Sequence, residues 1–121
     1  MTTNATTSEL DPATHIHHKW ADVLRGCAYG DAWGNRNEFQ SYAALTRTNK
    51  RGPELPAQLI ITDDTQMTLA LARAIDSVDP DDDTDALKSA IISEFVTWRS
   101  DPDNNRAPGN TCMAATRSLA S

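Results

Sequence analysis

Apolar residues recur along this chain at helical rather than strand spacing. From His17 onward, Trp20, Val23, Leu24, Cys27 and Ala28 fall on one helical face. Met67, Ala70, Leu71, Ala74 and Ile75 share a second face, with Arg73 and Asp76 opposite and Pro80 marking the stop. Leu87, Ile91, Phe95 and Trp98 define a third helix, from about Thr84 to Arg99. A last helix opens at Gly109-Asn110-Thr111 and carries Cys112, Ala115 and Leu119. It has no glycine or basic cap and no trailing polar segment, so the pattern predicts a chain that stops in mid-element. No segment alternates with period two, which predicts an all-α fold.

The polar stretches set the boundaries. Met1 to Ala13 hold almost no large apolar side chain to offset the entropy of ordering them, which predicts a flexible tail over residues 1–15 and a helical domain over 16–121. Between Gly34 and Leu59 a long polar loop is expected, with one short helix near Ser41 to Leu45. Leu59-Ile60-Ile61 then anchors its end to the core. Gly26, Gly30 and Gly34 recur within the first helix, each weakening it by about 0.8 to 1 kcal/mol relative to alanine. That cost predicts close approach of another backbone or a ligand. The acidic run Asp79 to Asp85 lacks the glycine and terminal glutamate of an EF-hand loop and is read as a solvated turn starting a helix.

At 121 residues and 39% hydrophobic, with three Trp, two Tyr and two Phe, the chain suits one lean folded domain. Its formal charge of −6 provides no footprint for nucleic-acid phosphates or an anionic membrane surface. The absence of a long apolar run and of a signal-peptide pattern leads to an expected cytoplasmic location. Cys27 and Cys112 lack zinc-knuckle spacing and are read as small buried side chains. His15, His17 and His18 are read as surface residues rather than metal ligands, and Trp20 and Trp98 as core. Trp33 is left between packing and stacking on a base.

Candidate chemistry concentrates in Thr62-Asp63-Asp64-Thr65, where loop gives way to helix. Two readings compete. Thr and Asp cap helices, and acidic residues favour the first turn. Oxygen ligands this close together also suit a hard divalent cation. Consecutive residues of a regular helix point about 100° apart, following from ~3.6 residues per turn, so Thr62, Asp63 and Asp64 converge only at such a junction.

Three segments in order, Gly26-Cys27-Ala28-Tyr29-Gly30-Asp31-Ala32-Trp33-Gly34 with Glu38-Phe39, then Thr62-Asp63-Asp64-Thr65-Gln66-Met67, then Pro108-Gly109-Asn110-Thr111, resemble the ADP-ribosylglycohydrolase family. The likeness runs from about Lys19 to the end of the chain. It implies an orthogonal all-α packing around two divalent cations, Mg2+ or Mn2+, and removal of ADP-ribose from modified side chains at the terminal ribose. ADP-ribose or an ADP-ribosylated protein is the implied partner, with ADP-ribose binding or an inactive remnant as the alternative function. Thr62, Asp63 and Asp64 correspond to the first metal-ligand group, Asp63 and Asp64 with Glu38 to the catalytic acids, and Glu38 to the acid on a mobile loop beside the metals. Asp31, Gly109, Asn110 and Thr111 correspond to the substrate side, with Asp31 read first as structural. Hydrolysis at the anomeric carbon develops positive charge on the sugar, which anionic oxygens offset, and a metal-activated water supplies the nucleophile.

The sequence departs from the family in one respect that matters to that chemistry. The resemblance implies a second ligand group, Asp-x-Asp-Thr, well over a hundred residues downstream, whereas here the last acidic residue is Asp103. The expected identity is therefore the N-terminal part of a family member, with an incomplete cation site. Apolar faces on the helices bearing Ile91, Phe95 and Leu119 are expected to favour self-association or a partner.

Overall fold

The computed structural model describes residues 12–48, 57–79, 81 and 83–120, excepting the side chains of residues 12–18 and 48. Among the described residues five helices follow in order: α1 (Pro12–Gly34), α2 (Tyr42–Thr48), α3 (Asp63–Asp76), α4 (Thr84–Ser100) and α5 (Asn110–Leu119). No strand occurs among the described residues, in agreement with the all-α expectation. Helix α3 packs on both α1 and α4, and α4 packs on α5. The element opened by the acidic turn is therefore flanked on two sides.

Sequence explains each start. Pro12 begins α1 earlier than the expected His17, because its fixed φ and missing N–H suit the first helical position. Ser41 Oγ accepts from the Ala44 N–H at 3.2 Å and begins α2, which runs to Thr48, past the expected Leu45. Asp83 caps α4, its Oδ1 accepting from the N–H groups of Asp85 at 3.0 Å and Ala86 at 2.9 Å. The described part of the acidic run, Asp79, Asp81 and Asp83 to Asp85, is thus a turn and helix start, as expected. The side chains of His15, His17 and His18 and the tail residues 1–11 lie outside the described residues.

The core is built on small residues. Ala70 and Ala74 on α3 and Ala32 on α1 are buried, and Trp98 of α4 is the large apolar side chain buried with them. Small side chains along α3 let its neighbours approach closely, so leucine at Ala74 is expected to force α3 and α4 apart. Overpacking of this kind costs about 1–3 kcal/mol, and thermal unfolding measures it. A cross-helix ion pair, Arg73 Nε to Glu94 Oε2 at 2.8 Å, lies at the rim of the same contact. With Arg73 more than half exposed, it adds little to stability.

Two expectations need correction. Trp20 is not core but 42% exposed, because the α1 face that carries it meets α3 only in part. A Cβ placed on Gly26, Gly30 or Gly34 would meet nothing within 4 Å, so no described backbone approaches the glycine face. In α5 the fully buried residue is Thr116, while Leu119, on an apolar face expected to be uncovered, is 43% exposed and Ala115 is also exposed. The Thr116 hydroxyl is satisfied inside its own helix, donating to the Cys112 carbonyl at 2.9 Å, so it is buried without an orphaned group. Ile91 and Phe95 are half-buried.

Candidate functional site

Asp31 occupies the last turn of α1, a position where the helix's own dipole disfavours a carboxylate. The compensation comes from α3. Asp31 Oδ2 accepts from the Thr62 N–H at 2.8 Å and the Thr65 N–H at 3.2 Å, and also from the Thr65 hydroxyl. Asp31 Oδ1 accepts from the Thr62 hydroxyl at 2.6 Å. One carboxylate thus satisfies backbone donors at the start of α3 that no residue of α3 satisfies for itself. Thr62 also acts as the N-cap, its Oγ1 accepting from the Asp64 N–H at 3.3 Å. Thr62 and Thr65 are buried, 5% and 3% exposed, so these bonds are largely shielded from water.

Burial by itself raises the pKa of Asp31, and the hydrogen bonds from Thr62 and Thr65 lower it by more, leaving it below the ordinary aspartate value. A depressed folded-state pKa contributes stability that is fully present above the unfolded value and is lost as pH falls through the folded one. An acid-side loss of stability is therefore expected from about pH 4 downward. It should be smaller in an Asp31→Asn variant, as acid titrations monitored by circular dichroism would show.

The next residue joins α3 to the segment before α5. The Asp63 N–H donates to the Arg106 carbonyl at 2.9 Å, and Asp63 Oδ2 accepts from the Gly109 N–H at 3.3 Å. Between those bonds lies Ala107 at φ 56°, in the left-handed region that favours glycine, immediately before Pro108. Asp63 therefore grips both ends of a strained two-residue bridge. An Ala107→Gly substitution is expected to relieve that strain and leave stability equal or raised by up to about 1 kcal/mol, read as the urea midpoint.

Gln66 extends the junction. Its Oε1 accepts from the indole N–H of Trp98 at 3.3 Å, and its Nε2 donates to the Asp103 carbonyl at 3.0 Å. Thr68 lies 3.5 Å from the Cys27 thiol, a further tie between α3 and α1. The half-buried state of Cys27 and Cys112 fits small packing side chains more than reactive ones.

The residues singled out in the sequence therefore fall into two groups. Asp31 is joined to Thr62, and Asp63 to Gly109, by direct hydrogen bonds. Asp64, Asn110 and Thr111 are exposed at the starts of α3 and α5, and Glu38 is exposed in the turn after α1. Asp64 and Glu38 have no side-chain partner among the described residues, so both carboxylates are open to solvent. Thr65, named only as part of the acidic stretch, and Gln66 received no role of their own from the sequence. The signal for Thr65 was its place three residues after the N-cap, where capping-box side chains sit.

Thr62, Asp63 and Asp64 face three different surroundings: the Asp31 carboxylate, the Gly109 segment and solvent. Among the described residues, no three His, Cys, Asp or Glu side chains gather in a group able to hold a metal ion. Two carboxylates and one hydroxyl whose proton is committed to Asp31 fall well short of six oxygen ligands around even one magnesium ion. The two-ion centre implied by the resemblance does not fit these residues alone.

The joining of the GDAWG, TDDTQM and PGNT segments at one place gives the chain's family likeness a structural basis. The family model for ADP-ribosylglycohydrolase matches residues 12–121. The chain belongs to the ADP-ribosylglycohydrolase family. No curated protein and no solved structure matches it. No helix among the described residues is long and apolar enough to cross a membrane.

Proposed function

We propose that this chain supplies the carboxylate turn of a hydrolase that releases ADP-ribose from modified protein side chains by cleaving the glycosidic bond at the terminal ribose. The observation that supports it most is the hydrogen-bonded junction of the family's three motif segments through Asp31 and Asp63. At that junction Asp63 and Asp64 open α3 with their carboxylates at the surface or half-buried, where they can offset positive charge developing on a sugar. Asn110 and Thr111 begin α5 with no side-chain cap bond, which leaves backbone donors for oxygens of the ligand. Glu38, exposed on the turn after α1, is placed in the proposal as the acid that orients water.

A divalent cation, magnesium or manganese, as the family resemblance implies, would supply a grip on sugar hydroxyls and an activated water there. Among the described residues no group of His, Cys, Asp or Glu side chains is able to hold that cation. That observation favours a second reading, in which the segment binds ADP-ribose without turning it over. Incubation with arginine- or serine-linked ADP-ribosyl protein and magnesium separates them. Release that is abolished by Asp63→Ala or Asp64→Ala supports hydrolysis, binding without release supports the second reading, and neither binding nor release contradicts both.

A further inference from the structure

We propose that Asp31 is the positioning residue of this site, setting the Thr62–Asp64 turn and the direction of the Thr62 hydroxyl proton in the absence of any cation. The proposal goes beyond the functional reading above and stands whether or not ADP-ribose is the ligand.

The absence of a metal-holding cluster among the described residues raises the question of what orders a turn bearing two adjacent carboxylates. Mutual repulsion between Asp63 and Asp64 opposes such a turn, and a cation would relieve it. The structure relieves it otherwise. Asp63 is held by the Gly109 N–H, Asp64 is directed to water, and the backbone beneath both is fixed from α1 by a third carboxylate. Asp31 accepts four hydrogen bonds from Thr62 and Thr65, all of them from donors on residues that are almost fully buried.

The same geometry fixes a polarity. A threonine hydroxyl has one proton, and Thr62 gives it to Asp31 Oδ1 at 2.6 Å. One lone pair of Thr62 Oγ1 accepts from the Asp64 N–H at 3.3 Å. What remains of that oxygen is a lone pair, so toward any ligand Thr62 acts only as an acceptor. An asparagine at position 31 has nearly the same shape but one acceptor oxygen and one N–H2 group. With its oxygen kept on the Thr62 and Thr65 amides, its N–H2 faces Thr62 Oγ1, and the Thr62 hydroxyl must turn its proton away. Asp31→Asn thus reverses one hydroxyl while keeping the packing volume.

Nuclear magnetic resonance on the whole chain, with EDTA present and then with millimolar magnesium, tests this. In the wild type, amide-exchange protection of Thr62, Asp64 and Thr65 should be the same under both conditions, and slowly exchanging hydroxyl protons of Thr62 and Thr65 should be seen hydrogen-bonded at low temperature. In Asp31→Asn the Thr62 hydroxyl signal should be lost, and exchange at Thr62 and Thr65 should quicken about tenfold or more, as expected for weakened bonds to a charged acceptor. Thr65→Val should lower protection at Thr65, and Thr65→Ser should restore it. This pair decides the matter if Asp31→Asn does not fold. Protection that collapses in EDTA and returns with magnesium would overturn the proposal, as would unchanged exchange in Asp31→Asn or equal protection in the serine and valine variants.

Discussion

Replacing Asp31 by alanine is expected to destabilise the chain by about 3 kcal/mol, whereas the same change at Asp64 should cost less than about 0.5 kcal/mol. Truncation at position 31 leaves the N–H groups of Thr62 and Thr65 without their acceptor, on residues only 5% and 3% exposed. Each buried donor left unpaired costs about 1–3 kcal/mol, and water entering the gap recovers part of that. Asp64 is exposed and its carboxylate has no partner among the described residues, so only its favourable place in the first turn of α3 is lost. The pair of substitutions separates an acid that holds the site together from an acid that is free to act on a ligand. Urea denaturation with two-state fitting reads both values, and comparable losses at the two positions would contradict the assignment.

Truncation of Trp98 to alanine should cost more, about 3–5 kcal/mol, which for a domain of this size approaches the whole of its stability. Trp98 is the large side chain of a core otherwise made of alanines and threonines, 4% exposed. Its removal leaves a cavity between α3 and α4 and also strips Gln66 Oε1 of its indole donor. Because Gln66 at the same time holds the Asp103 carbonyl, loosening should spread toward the segment that leads into α5. Hydrogen exchange should therefore rise over residues 101–113 as well as within α4. Trp98→Phe retains most of the volume and loses only the indole N–H. A penalty near 1 kcal/mol for that variant would apportion the effect between packing and the hydrogen bond.

Helical periodicity was enough to place α3 and α4, because their apolar residues recur at three- and four-residue steps and their starts carry Thr62 and Asp83 as caps. It misplaced Trp20 because an apolar stripe records which residues favour burial, not whether a neighbouring element covers them. The glycines of α1 misled for a related reason. Glycine permits close approach of a backbone without requiring it, and no described residue comes within 4 Å of a Cβ placed on Gly26, Gly30 or Gly34. At the site, adjacent carboxylates in Thr62-Asp63-Asp64-Thr65 were legible, but their separate directions were not. Those directions depend on two contacts distant in sequence, Asp31 with Thr62 and Gly109 with Asp63. One local sign of the first contact did exist. An acidic residue in the final turn of a helix opposes the dipole, which points to a compensating partner elsewhere in the fold. The left-handed backbone of Ala107 left no comparable mark, since alanine is not a residue that announces positive φ.

Titration of isotope-labelled chain with ADP-ribose, followed through backbone amide resonances, tests most directly that the surface where the three motif segments meet is the working site. The account predicts shifts centred on Asp63, Asp64 and Gly109 to Thr111, lost in Asp64→Ala while the fold persists. No shift at millimolar ADP-ribose, or shifts confined to surfaces away from the starts of α3 and α5, would contradict it.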